Sequence, residues 1–203
     1  MSEKHPSLSE KLGPTGPTCE SAPSHPQTIE VTRTYLDMAA LAQLIPGELP
    51  TVAAALERID PATVQQWRAL YRQIGAPWQW HDRDAWTDSA LAAHLTRPDI
   101  RLFRVVAELG DQSADAAGFL ELERHPDGSV EIVYLGLDPR LHGHRLGAWL
   151  VAAAVRVAFG WDAARVWLHT CTLDAPAALP NYLARGFSVV RAETYHTPLR
   201  ALG

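Results

Sequence analysis

Lysine is nearly absent from this chain: of 18 basic residues only Lys4 and Lys11 are lysines, and the formal charge is −5. Binding nucleic acid by neutralising phosphates needs clustered Lys and Arg, so that mode is not expected. Cysteine is equally scarce. Cys19 lies in a polar stretch and Cys171 in a predicted buried strand, which argues against a structural disulfide, and neither has metal-ligand spacing. Cys171 reads as a small buried hydrophobe before it reads as a nucleophile. Long apolar runs are missing too. Nothing approaches the roughly 18–20 consecutive apolar residues of a membrane span, and the N-terminus lacks the apolar core of a secretory signal. The expectation is a cytoplasmic protein that contacts neither nucleic acid nor membrane.

What the chain does have is enough apolar residue for one core: 203 residues at 47% hydrophobic suit one domain better than two. Residues 1–28 are rich in Pro and Ser with no apolar period, so a disordered tail is predicted there and a single domain over 29–203. IEVTRTYL, from Ile29, alternates like a strand, and Asp37 can cap a short helix that Pro46 ends. Asp60–Pro61 signals a second helix start, with Val64, Trp67, Leu70, Tyr71 and Ile74 at helical spacing; a third helix is predicted over 84–96. Strands follow over 101–109, 116–125 and 131–137, then a long helix, a strand over 165–171, a helix over 176–185 and a strand over 187–195. That order implies a mixed sheet with helices on its faces.

The densest information lies in EIVYLGLDPRLHGHRLG, Glu131 to Gly147. Ile132, Val133, Tyr134, Leu135 and Leu137 make a strand covered on both faces, stopped by Asp138 and Pro139. The alanine-rich run after Leu146 makes a helix whose first N–H groups have no intrahelical partner and carry the positive end of the dipole. Phosphate oxygens suit that place, although the glycines alone would also serve an ordinary turn.

Three motifs resemble the GCN5-related N-acetyltransferase (GNAT) family. His142-Gly143-His144-Arg145-Leu146-Gly147 is similar to its pyrophosphate loop, with His142 in place of the usual Gln or Arg and Arg145 at a glycine position. Tyr182, three residues, Gly186 and Phe187, preceded by Ala178, resemble its helix-to-last-strand signature. Ala175 beside Asp174 replaces an asparagine common there, for which Asn181 can substitute. Glu131 is spaced from the loop as the base glutamate is in the histone acetyltransferase branch. HTCTLDAPAALPNYLARGF and PWQWHDR look like segments of a bacterial subgroup of uncharacterised acetyltransferases. The resemblance implies an α/β (α+β) fold with a GNAT-like, mostly antiparallel mixed central sheet, flanking helices and splayed fourth and fifth strands. It implies acetyl-CoA as cofactor, held by Leu135, Leu137, the loop His142, Gly143, His144, Arg145, Leu146, Gly147 and Ala148, and by Asp174, Asn181, Tyr182 and Arg185.

Acetyl transfer to an amine needs a polarised carbonyl, a proton acceptor and an acid for the thiolate. The resemblance implies that a backbone N–H near Leu137 meets the acetyl oxygen. Glu131 is the first choice of base: the period of two puts it on the face of Val133, Leu135 and Leu137 if the strand's bulge falls after Leu135; otherwise it is a solvated strand-end glutamate. Glu121, Glu123 and His169 are further candidates, and Tyr182 is the expected acid, with aromatic packing as its alternative. Trp78, Trp80 and Arg83, with Glu121 and His169, are expected at the acceptor, unless the tryptophans roof the core and Asp82 pairs with Arg83. His142 and His144 suit phosphate contacts better than a metal, so none is expected. The expected activity is acetyl-CoA-dependent N-acetylation of a primary amine, most simply a small molecule, with a homodimer as an open option. The alternatives are a non-catalytic acyl-CoA sensor and a protein N-terminal or lysine acetyltransferase.

Overall fold

The computed structural model describes residues 28–109 and 112–198, so the tail expected over 1–28 lies outside the described residues apart from Thr28. In chain order the elements are β1 (Thr28–Met38), β2 (Ala54–Arg58), α1 (Val64–Gly75), α2 (Asp88–Leu95), β3 (Ile100–Leu109), β4 (Gln112–Arg124), β5 (Ser129–Leu137), α3 (Leu146–Phe159), β6 (Arg165–Cys171), α4 (Ala178–Ala184) and β7 (Ser188–Pro198). The strands form one seven-stranded sheet in the order β2-β3-β4-β5-β6-β1-β7. Neighbours are antiparallel except β5 and β6. That parallel pair is joined only at Ser129–Arg165, Val130–Val166 and Glu131–Trp167, beyond which the two strands part. No described helix is long and apolar enough to cross a membrane.

Each face of the sheet is covered because its strands alternate. On one face Leu36, Leu120, Leu122, Val130, Ile132, Val166 and Leu168 pack against Val151, Ala154, Val155 and Ala158 of α3. The small side chains at helical spacing let α3 lie close to the strands. On the other face Trp67, Leu70, Tyr71, Ile74 and Leu91 of α1 and α2 pack on Phe119 and Tyr134. Each fully buried large aliphatic contributes roughly 1.5–3 kcal/mol.

Several expected boundaries move. Asp37 does not cap a helix: β1 continues through it, paired to Trp167 on one side and Ser188 on the other, and only a single 3₁₀ turn, Leu41–Gln43, follows. Ladders on both edges outweigh a local cap. The helix expected at Asp60–Pro61 starts instead at Val64, because Thr63 and Gln66 form a reciprocal capping box, and Asp60 pairs with Arg58 at 2.8 Å. Thr87 likewise starts α2 later than Asp84 by accepting from the Ala90 N–H. The short edge strand β2, AALER, has too little apolar alternation to be read from the sequence. With it counted, the splayed fourth and fifth strands are β5 and β6.

The Tyr182–Phe187 signature has a plain physical basis. Phe187 N–H bonds the Tyr182 carbonyl (3.2 Å) and Gly186 N–H bonds that of Leu183 (3.0 Å), the paired bonds of a Schellman cap. Gly186 takes φ +98°, and a Cβ there would stand 2.1 Å from the Gln43 carbonyl oxygen. Gly186→Ala is therefore expected to cost about 2–3 kcal/mol in urea denaturation, from left-handed strain plus displacement of backbone.

Candidate active site

Where β5 and β6 part, a cavity of about 1110 Å³ passes between them, lined by Ile132–Leu137 on one side and His169 and Cys171 on the other. A bulge in β5 decides which side chains enter it. Glu121 pairs with Tyr134 but Leu122 with Ile132, so Val133 is the extra residue. The bulge thus precedes Leu135. Leu135 and Leu137 join the α3 face while Val133 and Tyr134 share the α1–α2 face. Glu131 consequently loses the expected common face with Leu135 and Leu137. It is absent from the cavity lining; its Oε2 lies 3.1 Å from His125 Nε2, and burial raises its pKa against the lowering effect of His125.

The β5–α3 connection forms one end of the cavity. Asp138 accepts from Arg140 N–H (2.9 Å) to start a turn over Pro139–Leu141, and the Arg140 guanidinium holds its carboxyl well below the usual range. Gly143 follows at φ +85°, and no atom lies within 4 Å of the position a Cβ would take. Arg145, at φ +61°, is the N-cap of α3 with no side-chain cap, and the first turn of α3 holds no acid. The result is an open concave backbone next to unpaired helix N–H groups, which suits an anion. His142, Gly143, Arg145, Leu146 and Gly147 line the cavity, with Leu135, Leu137, Asp174 and Tyr182. Four expected cofactor contacts are not in the lining. His144 turns to Thr51, Nδ1 to Oγ1 at 3.1 Å. Ala148 and Arg185 lie next to Gly47, and Asn181 Nδ2 lies 3.6 Å from where a Gly147 Cβ would stand. Arg145 reaches Glu48 at 2.8 Å, so its guanidinium is partly neutralised.

β6 and α4 supply the facing wall. Thr170 Oγ1 and Cys171 N–H donate to Asp174 Oδ2 at 2.7 and 2.8 Å, fixing the turn after β6. Burial and then Asp174 raise the Cys171 thiol, and the same two causes raise the buried Tyr182 phenol, so both keep their protons at neutral pH.

The other end is aromatic and charged. Trp78 stacks with His142 of the loop (6.5 Å between centroids) and so borders both ends, and Trp80 lies 4.8 Å from the Tyr134 ring. Asp82 lines the wall and accepts from Tyr71 (2.9 Å) and closely from Tyr134. His169 is exposed to the cavity with the Tyr35 ring beside it at 5.7 Å; its surroundings and then Arg33 hold its pKa below the ordinary value. His81 and Asp82 also line this end; Arg33 and Tyr195 join them without any sequence motif, although Arg33 and Tyr35 alternate onto one face of the predicted first strand.

Arg83 and Glu121 do not reach the acceptor. Both are buried beneath its wall, where Glu121 accepts from Arg83 (2.6 Å) and Trp67 Nε1 (2.6 Å) and lies 2.9 Å from His94 Nε2. Burial alone would raise the Glu121 carboxyl; these partners more than offset it, so its pKa is lowered. Arg83 therefore pairs with Glu121, and Asp82 with two tyrosines. Among the described residues no group of three or more His, Cys, Asp or Glu side chains is placed to hold a metal ion.

Comparison with known proteins agrees with this geometry. The chain resembles a GCN5-related N-acetyltransferase from Sphaerobacter thermophilus (13% identity, TM-score 0.60, 87% of this chain and 53% of that one). It also resembles one from Kribbella flavida (19%, 0.53, 83% and 58%). A third likeness is to an aminoglycoside acetyltransferase from an uncultured soil metagenomic sample (16%, 0.51, 65% and 86%). At these identities the likeness is one of fold. The chain spans only 52–61% of the length of four such structures. No curated protein matches it. The profile of the Acetyltransferase (GNAT) family matches residues 63–187, from the cap of α1 through the splayed strands to Phe187, and the chain belongs to that family.

Proposed function

We propose that the protein is an acetyl-CoA-dependent N-acetyltransferase acting on a primary amine of a small molecule. The observation that carries this reading is one continuous cavity between β5 and β6, with an anion-binding backbone at one end and an aromatic, acidic wall at the other. The first end fits a pyrophosphate: Gly143 leaves open space where any side chain would stand, and the first N–H groups of α3 lie beside it. Acetyl-CoA supplies an acyl thioester there. Beyond Glu131 the β5 backbone has no partner on the β6 side, which leaves peptide N–H groups up to Leu137 to polarise a carbonyl oxygen.

At the opposite end Asp82 and the face of Trp80 gather a cationic amine. An alkylammonium titrates at about 10.4, far above His169, so it gives its first proton to solvent and only the small neutral fraction attacks. Attack sharply acidifies the nitrogen, and neutral His169 takes the proton at that stage. Tyr182, which keeps its phenolic proton, donates at the sulfur position. Glu131, away from the cavity, is assigned no proton transfer.

Thiol release from acetyl-CoA across a panel of primary, secondary and tertiary amines tests the reading. Release with primary amines and none with tertiary amines is expected. Tight cofactor binding without release for any amine would make the protein a sensor instead, and release only with peptides would move the acceptor to protein.

A further inference from the structure

The acceptor end of the cavity has two poles. Asp82 stands on the segment between α1 and α2; Arg33 of β1 stands with Tyr195 of β7 on the far wall, and His169 also lines the space. Arg33 is poorly satisfied. Its Nη2 donates to Tyr195 Oη at 3.3 Å, its Nη1 is 4.0 Å from Glu193, and its Nε is buried with no hydrogen-bond partner. Glu193 cannot serve it fully, because Tyr35 donates to that carboxylate at 2.6 Å and Arg191 at 3.1 Å. Asp174 is engaged by Thr170 and Cys171, and the Cys171 thiol opposite Arg33 in the sheet is protonated and neutral. Arg33 thus shares Glu193 with Tyr35 and Arg191, and Asp174, though charged, has its Oδ2 committed to the Thr170 hydroxyl and the Cys171 N–H. The Arg33 Nη groups, held only by the Tyr195 hydroxyl and a distant Glu193, form a planar fork that matches the paired oxygens of a carboxylate or a phosphate.

We infer that the acceptor is an amino acid or a similar amino-carboxylate, whose carboxylate Arg33 binds while its amine lies toward Asp82 and His169. This rests on the transferase reading and names the substrate class of the same site. A polyamine would meet Arg33 with like charge, and an amine without an anion would leave its Nη groups with only the Tyr195 hydroxyl and a distant Glu193. β1 and β7, which carry this wall, lie outside the 63–187 segment that the family profile matches.

The test is acetylation of amino acids paired with the amines formed by removing their carboxylate, such as phenylalanine with phenethylamine, in wild type, Arg33→Gln and Arg33→Lys. Wild type is expected to prefer the amino acid in kcat/KM. Arg33→Gln is expected to shrink that preference by about 10- to 100-fold, mostly through KM, and Arg33→Lys by less. Equal use of both partners by wild type, or a preference that survives Arg33→Gln, would overturn the inference. If wild type acetylates neither, the transferase reading falls and quenching of Trp78 and Trp80 fluorescence decides this one. Quenching by the amino acid but not the amine, lost in Arg33→Gln, upholds the anion site; its absence removes it.

Discussion

Glu121→Leu is expected to lower stability by about 3–5 kcal/mol, because it leaves Arg83 and His94 buried without their shared carboxylate. For a domain of this size that is a fall in Tm of roughly 6–20 °C, measured by calorimetry. The loss comes from stranding a charge, so adding Arg83→Met should restore part of it. Glu121 also makes acid stability predictable. Its folded pKa lies below its unfolded value, so its contribution is complete above the unfolded value of about 4.3 and disappears as pH falls through the folded one. The gap between wild type and Glu121→Leu should therefore narrow below about pH 4. The network also anchors the wall next to Asp82, so the leucine variant should bind acceptors more weakly even where it remains folded.

His169→Gln is expected to lower kcat by roughly 10²–10⁴-fold, the usual contribution of a positioned base. The pH profile separates this from a packing defect. Because the cavity walls and Arg33 hold the imidazole below its ordinary value of about 6.5, the wild-type rate should show an acid limb through that lower pKa, added to the rise with free amine that every variant shares. The acid limb should vanish in the glutamine variant while acetyl-CoA affinity stays within about twofold. Glu131→Gln, whose carboxylate faces His125, should keep both the limb and most of the rate. The opposite pattern would return the base to Glu131.

The parts of the fold set by local chemistry were legible in advance. Alternation in IEVTRTYL marked β1, the apolar run in EIVYLGL marked β5, the Ala-rich run marked α3, and Gly186 marked the end of α4. What depended on pairing was not. β2 has residues too small and charged to announce a strand and exists because β3 offers it an edge. Asp37 reads as a cap until two neighbouring strands hold it extended.

The site divides in the same way. The loop residues Gly143, Leu146 and Gly147 and the helix residue Tyr182 reach the cavity as their motifs imply. Glu131 fails to, because the position of one bulge reverses its face relative to Leu135, and nothing in EIVYLGL marks Val133 as the extra residue. Arg83 and Asp82 are adjacent in sequence but diverge: one dives to Glu121, the other stays at the cavity with two tyrosines. Arg33 becomes visible only when β1 is inserted between β6 and β7, far in sequence from both.

The central claim is that acetyl-CoA occupies the gap between β5 and β6 with its pyrophosphate on the loop before α3. Calorimetric titration of wild type, Gly147→Ala and Gly147→Trp with acetyl-CoA tests it most directly. A Cβ at Gly147 would stand 3.6 Å from Asn181 Nδ2, an ordinary contact, so the alanine variant should fold and bind as wild type does. The indole of the tryptophan variant should fill the loop and abolish binding. Saturable binding by the first two and none by the third is the predicted result; equal binding by all three, or none by wild type, would contradict the account.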